Sequence, residues 1–386
     1  MAKERKKWRY ILGFLVLVAY ILISPRPIPE ETVLTPRWIS SLESNHPISL
    51  ESPLAAANAQ GALLPFVLGN RFGYIAENGY FSVNQIRNGY VSISANHWAE
   101  YEALPALIEV MNPQNESVLT IENPRGYPLF LDNRIFIVGS DQHFITAINQ
   151  QGEPLWTYDF PAPLTSVDAA AGFLLAGTLD GEIVLLNPQG NPAFPPFEPG
   201  GSRLSVILGS AISQDASRLA IISGIEEQRF LLMERSGDGY QVVYHEFLGA
   251  GFRRPVHITF INNDSKVVFE REGGLGIHPI GSRSSLRVDL EGELAALDDC
   301  GEGQFLFVIT SHGGNEKRFI SIRHTPPGPA LRGNVFRRLF GRPALFPAFI
   351  VNEAAFRSEN VFFSRINNRL YIGGDLTMAS LKLEKK

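Results

Sequence analysis

After residue 24, the hydrophobic pattern of the chain is that of short strands separated by tight turns. A unit made of a turn, a strand and a second turn recurs seven times, and each strand carries the β-branched and aromatic residues that suit a pleated sheet. Most of the entering turns contain Asn, Asp, Ser or Gly, which tight hairpins require. The strands of the units begin at Arg71, Arg134, Phe173, Arg218, Lys266, Gln304 and Arg369. Long helical periodicity is absent from this part of the sequence.

The spacing of the units predicts the architecture. The four middle intervals are 39, 45, 48 and 38 residues long, which is the size of one four-stranded blade. Repeated sheets of three or four strands can hide their edges only in a closed ring. The chain is therefore predicted to be all-β, with about seven blades arranged as a β-propeller. The first and last intervals, of 63 and 65 residues, are interpreted as insertions within Tyr101–Arg125 and Thr325–Asn352.

The last unit predicts how the ring closes. After Arg369 only 17 residues remain, which is enough for two strands, so the final blade is expected to lack its outermost strand. We expect the other end of the chain to supply that strand, and Asn45–Ala62 is the predicted donor.

The amino terminus has a different pattern. Residues 1–10 are a basic tail, and Ile11–Ile23 is a run of thirteen uncharged residues. This pattern predicts a transmembrane signal anchor over residues 11–24 with the tail in the cytoplasm, and a cleaved signal peptide is the alternative. Residues 25–60 are Pro-rich and are predicted to be a stalk that could include the closing strand, and residues 61–386 are the predicted propeller. The protein is thus expected in the cytoplasmic (inner) membrane as a single-pass protein, with the propeller on the periplasmic or extracytoplasmic side.

Charge and cysteine content exclude several classes of function. The net charge of −5 includes five Lys or Arg within the first ten residues, so the rest of the chain is more acidic than the total suggests. An acidic body argues against nucleic acid as a partner. Cys300 is the single cysteine, which excludes an intrachain disulfide, a thiolate zinc cluster and a CxxC redox motif.

Two of the repeat units resemble the repeats of pyrroloquinoline-quinone-type propellers, whose broader relative is the WD-repeat superfamily. The segments FITAINQQGEPLWTYDF (Phe144–Phe160) and FLLAGTLDGEIVLLNPQG (Phe173–Gly190) share their rhythm of strands and turns. Trp156 stands in the place of the tryptophan that docks adjacent blades in such proteins. No quinone cofactor is expected. Enzymes of that type use a calcium-binding set of residues and usually a vicinal cysteine pair, and a chain with one cysteine cannot form such a pair. The resemblance implies a cofactor-free, diverged member, and such members are binding scaffolds, including the propeller lipoprotein of the outer-membrane protein assembly machinery.

Local motifs for catalysis are not found. The eight histidines show no HxH, HExxH or Cys/His spacing, so no metal site is predicted. Ser311–Gly314 (SHGG) is predicted to be a hairpin turn, since no G-x-S-x-G nucleophile motif accompanies it. The segment DDCGE, which begins at Asp298, is also predicted to be a turn rather than a cation site. No catalytic, cofactor-binding or metal-binding residue is assigned, and no cofactor is expected.

Two segments are candidates for interaction with a partner. Between Lys317 and Asn352 there are seven basic residues and no acidic one, which suits anionic lipid headgroups or an acidic partner; a solvated loop is the competing interpretation. The candidate patch consists of Arg323, Arg332, Phe336, Arg337, Arg338, Phe340 and Arg342. The second segment is Tyr101–Arg125, which is expected to cap a blade and whose apolar residues could form a short amphipathic piece, namely Leu104, Leu107, Ile108 and Val110.

These features favour a membrane-anchored, non-enzymatic scaffold that binds or assembles other envelope proteins, whose identity the sequence does not give. The alternative is an envelope enzyme, such as a hydrolase or lactonase, with a site in the propeller channel. A cluster of three or more acids and histidines at the channel mouth would favour the enzyme, whereas an apolar or Arg-rich face would favour partner binding.

Overall fold

A computed structural model describes residue 14 and residues 32–385, except for 45–46, 51–58, 60, 201, 250, 299–300, 302 and 326–347. The described residues form 31 strands in eight antiparallel sheets. We call the sheets blades 1 to 8, in the order in which their inner strands follow along the chain.

The strands are numbered along the chain, and β1 (Thr32–Ser41) and β2 (Ile48–Ser49) come first. Blade 1 contains β3 (Leu63–Leu68), β4 (Arg71–Ala76) and β5 (Phe81–Ile86). Blade 2 contains β6 (Tyr90–Ile93), β7 (Trp98–Tyr101), β8 (Leu107–Met111) and β9 (Ser117–Glu122). Blade 3 contains β10 (Gly126–Leu131), β11 (Arg134–Gly139), β12 (Phe144–Ile148) and β13 (Pro154–Asp159). Blade 4 contains β14 (Leu164–Ala170), β15 (Phe173–Thr178) and β16 (Ile183–Leu186).

The second half of the ring follows the same plan. Blade 5 contains β17 (Ile207–Ile212), β18 (Arg218–Ser223), β19 (Gln228–Ser236) and β20 (Gly239–Gly249). Blade 6 contains β21 (Ile258–Ile261), β22 (Lys266–Arg271), β23 (Gly274–Pro279) and β24 (Leu286–Asp289). Blade 7 contains β25 (Glu293–Leu297), β26 (Phe305–Ser311), β27 (Glu316–Arg323) and β28 (Phe349–Arg357). Blade 8 contains β29 (Val361–Ile366), β30 (Arg369–Gly374) and β31 (Thr377–Lys385), to which β1 and β2 are added.

The core lies between the blades rather than within them. Eight hydrophobic clusters occur among the described residues, one between each pair of neighbouring blades. Successive residues of a strand point to opposite sheet faces, so along β15 Leu174 packs against blade 3 and Leu175 packs against blade 5. A middle strand such as β15 is therefore buried along most of its length. The last cluster joins blade 8 to blade 1 and closes the ring.

Closure uses a different strand from the one predicted. β1 pairs antiparallel with β31 from Thr32↔Lys385 to Ser41↔Thr377, whereas Ile48 and Ser49 pair with the outer edge of β1. The predicted donor, Asn45–Ala62, thus supplies no strand next to β31 in its described part. The segment that forms β1 contains Pro36, and a proline has no N–H group to donate within a sheet, so the sequence did not indicate a strand there. The register of β1 shifts between Pro36 and Trp38, and such a bulge accommodates a proline in a strand.

The number of blades is eight rather than about seven. The first long interval holds a complete blade, blade 2, and Tyr101–Arg125 is no insertion because it contains β8 and β9. Blade 2 escaped recognition because its first two strands have four residues each, too few to show a periodic pattern. In the second long interval, β28 begins at Phe349, and residues 326–347 lie outside the described residues.

No helix in the described residues has the length and apolar character that a membrane crossing requires. The predicted anchor over residues 11–24 lies outside the described residues, apart from position 14, and it stays a prediction.

Candidate functional site

Two cavities open on one face of the ring, on either side of the loop that follows β7. The first, of about 360 Å³, lies between this loop, the link from blade 2 to blade 3 and the β11–β12 hairpin. The second, of about 350 Å³, lies between the same loop and the link from blade 1 to blade 2. Pro105 and Ala106 line both cavities, so the loop forms the wall between them.

Leu104 lines the first cavity and Leu107 the second, and Ile86 and Tyr90 flank the link of Asn88 and Gly89 that lines the second. We call these four exposed apolar side chains the blade-2 surface. Leu104 at the tip of the loop is 81% exposed, Tyr90 is 60%, Leu107 is 55% and Ile86 is 52% exposed. The alternation of β8 places Leu107 outside while Ile108 is fully buried. Exposed apolar side chains that form a contiguous surface patch mark sites of protein contact. The blade-2 surface therefore has the composition of a docking site.

The link between blades 2 and 3 gives the first cavity a rigid rim. Asn123 and Arg125 both have positive φ angles, 46° and 57°, which non-glycine residues adopt at an energetic cost. Gly126 follows, and a Cβ atom there would lie 1.9 Å from the carbonyl oxygen of Val138. The guanidinium of Arg125 lies 5.7 Å from the centroid of the Phe144 ring. The rim is thus held by backbone packing, and it places a cation beside the apolar residues.

The second cavity has an acidic wall with a structural purpose. Glu100 accepts hydrogen bonds from the backbone N–H groups of Asn88 and Gly89, the latter at 2.9 Å. This carboxylate therefore fastens the link between blades 1 and 2 to β7. Glu102 also lines the cavity. The two cavities together offer apolar contact and charge pairing to a bound molecule.

The predicted basic patch is represented in the described residues by Arg323. Its guanidinium lies 5.0 Å from the centroid of the Phe305 ring, so it packs against its own blade. The other residues of the patch, Arg332, Phe336, Arg337, Arg338, Phe340 and Arg342, lie outside the described residues. The patch stays a prediction.

Buried titratable groups join neighbouring blades at a distance from the two cavities. Lys266 of blade 6 donates hydrogen bonds to Nδ1 of His324 at 2.8 Å, to the His324 carbonyl at 2.5 Å and to the Thr325 hydroxyl at 3.0 Å. Burial lowers the pKa of Lys266 to about 8. Burial, together with the charge of Lys266, lowers the pKa of His324 to about 4. A neutral imidazole thus accepts from an ammonium group, which ties blade 7 to blade 6.

The predicted turn at Asp298 forms part of a second contact of this kind. Asp298 and Arg365 form a buried ion pair at 2.9 Å between blades 7 and 8. Asp298 also accepts a hydrogen bond from the Gly301 N–H at 3.0 Å, whereas Cys300 lies outside the described residues. Here the carboxylate binds a guanidinium of the same chain. Within the described part of the chain, no group of three or more His, Cys, Asp or Glu residues is placed to hold a metal ion.

The prediction for Ser311–Gly314 is confirmed, because it forms the hairpin between β26 and β27. The His312 N–H donates to the Glu316 carbonyl at 3.0 Å, and the Thr310 hydroxyl lies 2.9 Å from Nε2 of His312.

Half of the blade-2 surface had a signal in the sequence. Leu104 and Leu107 belong to the apolar residues noted in Tyr101–Arg125, although that segment was expected to cap a blade. Ile86 and Tyr90 had none, because they stand at the end of one blade and at the start of the next.

Comparisons with known proteins agree with the fold. A family model described as "beta-propeller protein" matches residues 1–327. An uncharacterized protein of Treponema pallidum (strain Nichols) is 26% identical over 279 residues, which are 71% of this chain and 73% of that protein.

Two solved structures are similar in fold. BamB from Moraxella catarrhalis superposes with a TM-score of 0.55 at 13% identity, over 91% of this chain and 100% of that one. The computationally designed protein Ika8 gives a TM-score of 0.55 at 13% identity, over 85% of this chain and 98% of that one. At such identities the likeness concerns the fold alone.

Proposed function

We propose that this chain, which belongs to a family of β-propeller proteins, acts as a non-enzymatic scaffold. It would bind or assemble other proteins of the cell envelope. The docking site in this proposal is the blade-2 surface. The observation that carries it is the group of exposed apolar side chains, led by Leu104, around two adjacent cavities on one face. A ring of eight rigid blades supports loops whose side chains are free to meet a partner.

The partner in this proposal is a protein with apolar side chains that enter the two cavities. Interface energy is concentrated in a few apolar or aromatic side chains near the centre of a contact. Leu104 lies at that position, since its loop separates the cavities. Arg125, on the rim, would pair with a carboxylate of the partner and fix its orientation.

The location in the envelope belongs to the same proposal. Residues 11–24 anchor the chain in the cytoplasmic membrane, and the propeller lies on the extracytoplasmic side. Both statements rest on the basic tail and the apolar run.

The kinship with pyrroloquinoline-quinone-type repeats is also proposed. Its support is Trp156, whose Nε1–H donates to the Pro188 carbonyl of the next blade at 3.0 Å. The ring of Trp156 also lies against Gly190, where a Cβ atom would approach within 2.5 Å. This is the docking role that the resemblance implies for this tryptophan.

Crosslinking in the native membrane tests the proposal. The full chain is compared with the L104D/L107D variant, and crosslinked proteins are identified by mass spectrometry. We expect the yield of the main heterologous crosslink to fall at least tenfold, because ~1.4 kcal/mol of lost binding energy already has that effect. Both leucines are more than half exposed, so the fold should be kept.

A V243D variant is the matched control. Val243 is 43% exposed on β20, in another part of the ring. Its crosslinks should equal those of the unmodified chain. An unchanged set of partners in L104D/L107D, with an unchanged melting temperature, would refute the blade-2 surface as the docking site.

A further inference from the structure

The outermost strand of blade 7, β28, is a long sheet edge with little of the usual protection against pairing. Natural sheets protect their edges with short strands, prolines, lysines or bulges. Among the other outer strands, β24 has four residues, β13 begins with Pro154 and β20 pairs through two bulges. β28 has nine residues, FIVNEAAFR, without Lys or Pro, and its first seven are all exposed. One bulge, near its start, interrupts its pairing with β27.

Two hydrogen bonds show which backbone groups of β28 point away from the sheet. The Ser358 N–H, just after the strand, donates to the Asn315 carbonyl on the side of β27. Backbone groups alternate in direction along a strand, so Arg357, Ala355 and Glu353 direct theirs outward. In agreement, the Glu353 N–H donates to the side chain of Asn352. Among the described strands, none pairs with this outer edge.

The sequence of this edge is complementary to itself. In an antiparallel pair centred on Ala355, residue 353 of one copy lies opposite residue 357 of the other. Two Glu353–Arg357 pairs would then form between the copies, and the outward-directed backbone groups of both strands would meet. The Glu353 N–H would exchange its hydrogen bond to Asn352 for one to the Arg357 carbonyl of the second copy. Glu353 already accepts a hydrogen bond from Arg318 at 2.9 Å, and its carboxylate can accept more than one donor. Arg357 lies opposite Glu316 of β27, but Glu316 pairs with Arg318, and none of the ion pairs among the described residues involves Arg357.

We propose that β28 is the dimerisation strand of the protein and pairs antiparallel with β28 of a second copy, about a two-fold axis at Ala355. The interface is isologous, as in most homodimers. Adjacent neutral positions fit this register, since Ala354 lies opposite Phe356 and a small side chain faces a large one. The contact lies on the outer edge of blade 7, and it is independent of the blade-2 surface. A dimer would carry two docking surfaces, one on each ring.

Disulfide trapping tests the register. The full chain in detergent micelles is prepared with Cys300→Ser and Ala355→Cys, and it is oxidised with copper phenanthroline. Opposed residues in a hydrogen-bonded antiparallel pair have Cα atoms about 5.5 Å apart, a distance that a disulfide can span. We expect the A355C variant to yield at least ten times more crosslinked dimer than V243C in the same background. Val243 is the control because it is exposed on another long outer strand.

Charge variants test the complementarity. Adding R357E to A355C would place a second carboxylate opposite Glu353 of the other copy, and we expect crosslinking to fall at least tenfold, whereas R357K should retain it. A mixture of R357E chains with E353R chains should restore crosslinking between the two kinds of chain. Circular dichroism shows whether each variant folds. If E353R does not fold, the comparison of R357E with R357K alone tests the proposed register.

Two results would overturn the proposal. One is a crosslinking yield for A355C no higher than that for V243C, which would mean that β28 stays unpaired or is covered by another segment or another protein. The other is an equal yield for R357E and R357K.

Discussion

Trp38 should be the most sensitive residue of the strand that closes the ring. It lies on β1, is 3% exposed and packs in the cluster between blades 8 and 1. Its ring centroid is 6.1 Å from that of Tyr371 on blade 8. Its Nε1–H donates to the Glu77 carbonyl of blade 1 at 2.9 Å. One side chain from the amino-terminal strand thus contacts the two blades that must stay together.

The structure sets the magnitude expected for Trp38→Ala. Removal of a buried tryptophan costs about 3–5 kcal/mol of unfolding free energy, because packing is lost and a cavity remains. The Glu77 carbonyl keeps a second donor, Arg369, at 3.3 Å, so the lost hydrogen bond adds little. Trp38→Phe keeps an aromatic ring in the cluster, and we expect it to cost about 1–2 kcal/mol.

Urea unfolding followed by circular dichroism measures these differences. The control is Ile39→Ala, because Ile39 is the neighbour of Trp38 on β1 but is 40% exposed. We expect Ile39→Ala to cost less than about 1 kcal/mol. If Trp38→Ala destabilises the chain no more than Ile39→Ala does, β1 is not the strand that holds the ring closed.

Two further predictions concern buried titratable groups. Burial lowers the pKa of His278 to about 4, below the value of about 6.5 in an unfolded chain. The unfolded state therefore binds more protons between these two pH values, and stability is lost as the pH falls from about 6.5 to about 4. His278→Gln should reduce this loss, as measured by urea unfolding at several pH values. An unchanged pH dependence of stability in the variant would contradict the prediction. Asp298→Asn leaves the Arg365 charge buried and should cost about 3–5 kcal/mol. Glu234→Gln, in the partly exposed pair with Arg218, should cost at most about 1 kcal/mol. Equal costs would show that the Asp298–Arg365 pair does not hold blades 7 and 8 together.

The second strands of seven of the eight blades were the part of the fold that the sequence predicted best. Six of the seven predicted units begin at the first residue of a strand, from Arg71 in β4 to Arg369 in β30. Gln304 is one residue before β26. These strands are covered by a blade on both faces, so most of their residues after the first are apolar, and a hairpin turn precedes each one. This combination is local in the sequence, and local patterns are the most predictable.

Features that depend on distant residues were not predictable in the same way. β7 is the second strand of blade 2, and its WAEY sequence is too short to show the apolar run. The partner of β31 is set by burial of Trp38 against blade 1, which no local pattern contains. The cavities combine links and hairpins from three blades, so several strands lie in the sequence between the residues that line them. Leu104 carries an apolar signal, but only the assembled ring shows that it stays exposed.

The position of β1 changes what the predicted anchor implies. If residues 11–24 cross the membrane, the seven residues from 25 to 31 separate it from the first residue of β1. They can span at most about 24 Å, so blade 8 must lie close to the membrane rather than at the end of a long stalk. Thr32 pairs with Lys385. This pair lies at the end of blade 8 that also carries the turn at Asn368, between β29 and β30. Leu376 lies in the hairpin at the opposite end of these strands.

This geometry predicts the orientation of the ring. The Asp375 N–H, next to Leu376, donates to the Asn360 carbonyl, and Asn360 lies against Gly69 of blade 1. The neighbouring Asn70 accepts a hydrogen bond from Arg87, in the link that Glu100 of β7 binds. The hairpin with Leu376 and the loop with Leu104 thus lie on the same face. The blade-2 surface should therefore point away from the membrane. A fluorophore on N368C, in a Cys300→Ser background and in vesicles with headgroup quenchers, should be quenched more strongly than one on L376C or L104C. Equal quenching at the three positions, or stronger quenching at L104C, would refute this orientation and require the partner to approach from the membrane side.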